Sequence, residues 1–290
     1  MARKEKTVGI VGLGLIGGSV ALKLRAEKFA EKIIGFDANP EHQQMAVALG
    51  LIDEQATLEA LCENADLILI AIPVNHALEV LPKILNTVPE STAVVDFGST
   101  KSKIAQLADS FKNREQFVAS HPIAGTENTG PKAAFPDLYK GKVNIICNPE
   151  KSSKEVLNRV EAMIVALGMR IKYMDSNAHD RHIAYVSHMS HISSFILGQT
   201  VLEVEKDEDN IFDMAGSGFA STVRLAKSSP EMWAPIFTEN SENVLRVLDH
   251  YIKNLNQFRS LIVDEEEGKL REIMSETNKI RKVLEGEKAD

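Results

Sequence analysis

Cysteine is nearly absent from this chain of 290 residues, and the two present, Cys62 and Cys147, stand far apart. That excludes a disulfide scaffold and the paired-cysteine spacings of zinc and redox sites. Two reduced thiols in or near the core fit a cytoplasmic home, where disulfides are rare. Long apolar runs are missing too, since no stretch reaches the ~18–20 residues that span a bilayer. At the start, Arg3, Lys4 and Lys6 are interrupted by Glu5, and glycines soon break the apolar run that follows, so no secretory signal is read there. Nor is there a surplus of positive charge. Lys and Arg number 33 against 41 Asp and Glu, a formal net charge of −8. No basic run marks a nucleic-acid or membrane surface. An anionic ligand would need local cations to bind against that field.

What is present is an alternation of two patterns. Short apolar runs at Thr7–Val11, Lys32–Phe36, Leu67–Ile72, Thr92–Val95 and Gln116–Ser120 read as buried strands, and Lys142–Cys147 and Arg170–Tyr173 extend the series. Between them Gly17–Lys28, Pro40–Leu49, Leu58–Glu63, Asn75–Leu85 and Lys101–Phe111 read as helices, with another over Lys151–Leu167. Such alternation predicts an α/β protein with a doubly wound parallel sheet covered by helices on both faces. After about Ser176 the strand signals stop. His179–Glu205 reads as one long helix, an acidic segment follows at Glu205–Asn210, and helical patterns resume from Thr222, Met232 and Asn256. The expected division is therefore an α/β domain over 1–174 and an all-α domain over 175–290, ending in a charged, helix-prone tail.

The first strand runs straight into Gly12-Leu13-Gly14-Leu15-Ile16-Gly17, which opens a helix. This is the dinucleotide-binding fingerprint of the Rossmann-type fold. Gly12 permits the tight turn, Gly14 lets a pyrophosphate approach the backbone, and Gly17 allows the helix to pack on the strand. Leu15 and Ile16 lie in the first turn, whose free N–H groups and dipole favour phosphate. Asp37 ends the second strand, where a carboxylate accepts hydrogen bonds from ribose hydroxyls and repels a 2′-phosphate. The alternative for Asp37 is a cap on the helix at Pro40. Together these features predict NAD as cofactor, although Arg3 or His42 stands near enough in sequence to accommodate a phosphate. Pro73 and Asn75 fall at the same carboxyl edge of the sheet and are cofactor-contact candidates.

His121 follows the fifth strand directly, at the edge where such sheets bind ligands, and imidazole takes a proton near neutral pH. Ser99 precedes a helix. It is either a helix cap or a hydroxyl that orients His121 or the nicotinamide. Lys101 and Lys103 occupy that helix's first turn against the dipole preference, which suggests that they answer a bound anion. In the helical part His179, His182, His188 and His191 share one segment, but no Cys or close acidic cluster completes a ligand set, so no metal is expected. Arg224 follows a Gly-Ser-Gly turn, either as a clamp for a carboxylate or as a surface ion pair.

These residues together resemble the prephenate/arogenate dehydrogenase family of tyrosine biosynthesis, from about Lys6 to the 260s. The likeness is carried by Gly12–Gly17, Asp96-Phe97-Gly98-Ser99-Thr100-Lys101 and His121-Pro122-Ile123-Ala124-Gly125-Thr126-Glu127. Further on it is carried by Ser187-His188-Met189-Ser190-His191, Gly216-Ser217-Gly218-Phe219 and Arg224-Leu225-Ala226-Lys227-Ser228-Ser229-Pro230. The resemblance implies NAD-dependent oxidative decarboxylation of prephenate to 4-hydroxyphenylpyruvate, or of arogenate to tyrosine. It implies His121 as catalytic base assisted by Ser99, Arg224 as carboxylate binder, and His191, Glu127, His188 and His179 as further substrate contacts. It also implies a homodimer through the helical domain. Where the family commonly has Val-Lys, this chain has Thr100-Lys101. The arginine and histidine candidates favour prephenate, whereas an acid facing the substrate side chain, Glu127 or Asp213, would favour arogenate. Other two-domain dehydrogenases, such as a β-hydroxyacid dehydrogenase or an imine reductase, lean on a lysine in the helical domain or lack a histidine after the fifth strand. An NAD-binding sensor without catalysis would keep Gly12–Gly17 and Asp37 but need neither His121 nor Arg224.

Overall fold

The computed structural model describes residues 5–205 and 214–285. Strand β1 (Glu5–Val11) leads through the glycine turn into helix α1 (Leu15–Ala26), then β2 (Ala30–Phe36), α2 (Pro40–Ala48), a two-residue β3 (Glu54–Gln55) and α3 (Leu58–Asn64). The pattern continues with β4 (Leu67–Ile70), α4 (Val74–Thr87), β5 (Ala93–Asp96), α5 (Ser102–Ala108), β6 (Phe117–Pro122), β7 (Val143–Cys147), α6 (Lys154–Ala166) and β8 (Arg170–Met174). The eight strands form one sheet in the order β3-β2-β1-β4-β5-β6-β7-β8. The short β3 was not expected from the sequence, because two exposed polar residues carry no apolar signal.

Period-two alternation assigns each strand residue to one of two cores. Leu67 and Leu69 of β4 join Val8, Ile10, Val95 and Val118 under α1 and α6, whereas Ile68 and Ile70 face α3, α4 and α5 with Val11, Val94 and Phe117. All four β4 residues are completely buried, and each such side chain contributes roughly 1.5–3 kcal/mol. This is the Rossmann-type doubly wound sheet the sequence predicts, with one departure. β7 runs antiparallel to β6, pairing Pro122 with Asn144 and Ala119 with Cys147. Strand β6 also runs on through His121 and Pro122 rather than ending at Ser120, so His121 is a strand residue.

Beyond β8 the chain is helical. Asp175 caps α7 (Ser176–Ile183) by accepting the N–H groups of Asn177 and Ala178. The single helix expected over His179–Glu205 is interrupted: a π turn at Ala184–His188 separates α7 from α8 (Met189–Glu205). Such bulges cluster at functional sites. Of the acidic stretch, Glu205 ends α8, and its remainder at 206–210, with Asp213, lies outside the described residues. Next come α9 (Ser217–Thr222), a 3-10 turn at Arg224–Lys227, α10 (Pro230–Glu239) and α11 (Ser241–Val263), which starts well before the expected Asn256. Helices α12 (Glu267–Thr277) and α13 (Ile280–Leu284) complete the described chain. Two compact units result, Met1–Ser241 and Glu242–Asp290. The expected boundary at 174–175 falls between β8 and α7. Among the described residues no helix is long and apolar enough to cross a membrane.

Candidate active site

The glycine turn is dictated sterically. Gly12 has φ +96°, and a Cβ there would meet the Ala71 carbonyl, while a Cβ on Gly17 would run into the Gly12 carbonyl. At Gly14 a Cβ would meet only the Gly130 nitrogen, 3.9 Å away, so the backbone there is open to a ligand. Gly14 begins α1, no side chain caps the helix, and no acid occupies its first turn. Leu15 is buried, and the Ile16 carbonyl accepts the Tyr139 hydroxyl at 2.7 Å. Asp37 accepts the Leu13 N–H at 2.8 Å on one oxygen and the Asn39 N–H at 2.9 Å on the other. The cap of α2 is Asn39, not Asp37. His42 Nδ1 stands 3.5 Å from Asp37, while Arg3 lies outside the described residues.

These residues fit a dinucleotide. The open Gly14 and the uncapped α1 offer N–H groups to phosphate, and the Asp37 carboxylate retains lone pairs for ribose hydroxyls beyond its two backbone bonds. Pro73 starts α4, and Asn75 in its first turn holds a buried amide oxygen with no protein donor. A ligand N–H or O–H would satisfy it.

Across the same edge, His121 is 8% exposed. Its Nδ1 lies 2.9 Å from His179 Nε2, and His179 Nδ1 lies 2.8 Å from Asp180 Oδ1. Asp180 in turn accepts the backbone N–H groups of Lys101 at 2.7 Å and Ser102 at 2.8 Å. Burial pushes His121 well below its ordinary pKa, and the nearby His179, Lys101 and His188 add to that. Burial also lowers His179, against the opposing pull of Asp180. For Asp180 burial works upward, but its hydrogen bonds from His179 and the backbone hold it below the usual carboxylate range.

Lys101 and Lys103 are not held for a bound anion, contrary to the sequence expectation. Lys101 is fully buried beneath the site, its ammonium bonded to Asp96 and to the Ser120 carbonyl at 2.9 Å. Lys103 pairs with Glu239 at 2.9 Å. Their acidic partners neutralise both. Ser99 is half-buried and makes no hydrogen bond to His121, and Lys101 rather than Ser99 occupies the cap position of α5.

The remaining candidates gather on the helical side. His188 is buried, with its Nδ1 3.3 Å from the Asn240 amide nitrogen and its Nε2 unpartnered. Burial pulls its pKa to about 4. The His191 ring stacks on Trp233 at 3.4 Å, its Nδ1 3.0 Å from the Ser187 carbonyl. Arg224 pairs loosely with Glu127 at 3.7 Å and is close enough to His191 to help lower its pKa, after burial. Asp180, Asn240 and Trp233 were not singled out from sequence. Among the described residues no three His, Cys, Asp or Glu are grouped to hold a metal ion.

Comparison with known proteins covers most of the chain. A model of the nucleotide-binding domain of prephenate dehydrogenase matches residues 20–173, and one of that enzyme's dimerization domain matches 175–276. The prephenate dehydrogenase of Bacillus subtilis is 29% identical over 92% of this chain and 72% of its own. The cyclohexadienyl dehydrogenase of Zymomonas mobilis is 30% identical over 96% of each. Among solved structures, Aquifex aeolicus prephenate dehydrogenase in complex with hydroxyphenyl propionate and NAD+ superposes with a TM-score of 0.89. It is 36% identical and covers 98% of this chain and 100% of its own. The Synechocystis arogenate dehydrogenase follows at 0.76 and 28%, covering 96% and 99%. With more than half the chain matched by the nucleotide-binding model alone, this protein belongs to the prephenate dehydrogenase family, oxidoreductases with a nucleotide-binding domain.

Proposed function

We propose that the protein oxidatively decarboxylates prephenate to 4-hydroxyphenylpyruvate with NAD. The observation that carries this reading is His121, buried and neutral at the cofactor edge with one ring nitrogen, Nε2, uncommitted. NAD, when bound at the glycine turn, supplies the hydride acceptor. His121 Nε2 takes the proton of the ring C4 hydroxyl as the C4 hydride leaves. The electron pair of the breaking C1–carboxylate bond then aromatises the ring, carbon dioxide departs, and the proton returns to the C4 oxygen. Neutral imidazole suits the first proton step, and the imidazolium it becomes returns that proton in the second. Arg224 holds a substrate carboxylate, and its charge is a local cation in a chain of net charge −8. His191 lines the pocket beside Arg224, and Glu127 orients that guanidinium. We assign Ser99, half-buried before α5, to the alignment of the nicotinamide. His188 fixes the wall behind His191.

Prephenate and arogenate differ only in a keto group against an ammonium. Glu127 is already engaged with Arg224, which supports the keto acid. The test is formation of reduced nicotinamide, followed by its near-ultraviolet absorbance, with each substrate and with NAD or NADP. Turnover fastest with prephenate and NAD is expected, because Asp37 opposes a 2′-phosphate. Clear NAD binding without reduction by either substrate overturns the assignment.

The proposed assembly is a cytoplasmic homodimer. Cys62 and Cys147 are free, and burial pushes their thiols up to about 11 and about 12, so both are inert. On α8, Ile196, Leu197 and Leu202 are exposed, and on α11 Tyr251, Leu255, Phe258 and Ile262 form an exposed stripe at helical spacing. Apolar faces of this kind mark interfaces. Sedimentation equilibrium should give twice the 31.9 kDa chain mass, and a monomer at micromolar concentration would refute the dimer.

A further inference from the structure

The base of this site is set by a relay whose members come from opposite ends of the α/β-to-helical junction. Asp180 is buried and ionised, so His179 Nδ1, 2.8 Å from it, carries a proton. Neutral His179 then presents a lone pair at Nε2, and His121 Nδ1, 2.9 Å away, must donate to it. That leaves the His121 lone pair on Nε2. We propose that His179 and Asp180 are positioning residues, which select the Nδ1–H form of His121 and thereby keep Nε2 bare to receive the substrate proton. His179 is thus reassigned from the substrate-contact role implied by resemblance, and Asp180 is added. The inference rests on reading His121 as the base.

The neighbouring contacts make the relay rigid. Both Asp180 oxygens accept backbone N–H groups at the start of α5, and its own carbonyl accepts the Asn240 amide at 2.8 Å. The Ser102 hydroxyl donates to the Ser176 carbonyl at 3.0 Å, fixing the first turn of α7 on α5. The rings of His121 and His179 meet edge to face at 5.0 Å, which aligns the nitrogens. His179 is 1% and Asp180 2% exposed, so water cannot substitute for either. A histidine free in water has no such fixed tautomer, and tautomer and orientation are what a carboxylate partner supplies in other acid–base sites.

The test uses full-length protein labelled with 15N at histidine, assigned by comparison with His121→Asn. The wild-type His121 signals should show a protonated Nδ1 and a bare Nε2. His179→Leu should release that selection and lower kcat by about 10²-fold, while KM for the substrate moves by less than about threefold. His179→Gln places a carbonyl oxygen near the lost Nε2 and should recover most of the rate. It also serves should the leucine variant fold poorly. A wild-type His121 protonated on Nε2, or His179→Leu with wild-type turnover or an unchanged His121 tautomer, overturns the relay. If His121→Asn itself retains turnover, the base reading fails and not merely the relay.

Discussion

Replacing His121 by Asn should leave NAD binding intact and reduce turnover by ~10²–10⁴-fold, the usual worth of general acid–base catalysis. The substitution is conservative in its surroundings. The Asn amide nitrogen can still donate where Nδ1 met His179 Nε2 at 2.9 Å, so the relay keeps an occupant. What disappears is a basic nitrogen at the Nε2 position, and carboxamide cannot take the C4 proton at any accessible pH. Because the side chain is 8% exposed at the end of β6, little bulk water can act in its place. Turnover reduced to that extent with unchanged cofactor affinity, measured by nicotinamide reduction and by titration calorimetry, is the expected pair of results. Unchanged turnover would remove His121 from the chemistry and favour a protein that binds NAD for another purpose.

The second large effect is acid lability. His121, His179, His188 and His191 are all held below their ordinary pKa, primarily by burial. In the unfolded chain each takes up a proton near pH 6.5, whereas the folded protein resists doing so. Below that pH the unfolded state binds more protons, and stability falls as pH falls. For His188 the window runs from 6.5 down to about 4, which corresponds to roughly 3 kcal/mol from that ring alone. Asp180 works in the same direction but only below the ordinary carboxylate range, so the interval between pH 6.5 and 4.5 isolates the histidines. Calorimetric Tm should decline steadily across it. A flat Tm there would mean that the four rings are solvated, and the cluster would not be the dry site described.

How much of this was legible depended on the range of each interaction. The Gly12–Gly17 turn and Asp37 are local: strand, turn, helix and acid follow one another in sequence, and the backbone angles demand glycine at Gly12. His121 was legible because it adjoins a strong apolar strand. The relay was not, since Asp180 bonds to residues 79 and 78 positions away, and His179 to one 58 away. Lys103 misled for the same reason: its partner Glu239 lies 136 residues on. The direction of β7 was invisible because an apolar run reads alike in either orientation.

The reversed β7 has a consequence for how such a protein can diversify. Strand β6 ends at the ligand edge with Pro122, and because β7 returns antiparallel, it begins at that edge too. A parallel strand would have required the connection to descend the sheet and climb again. Here residues 123–142 stay on the ligand side throughout. They carry Glu127, pass Gly130 beside the glycine turn, and are tied to α1 where Ser19 accepts the Phe135 N–H at 3.0 Å and Tyr139 reaches Ile16. Lengthening a loop with both ends so anchored is cheap, about 0.6 kcal/mol per doubling. The stretch after Glu127 can therefore lengthen on the ligand side to meet other ring substituents, while the sheet and the cofactor turn keep the same hydrogen bonds.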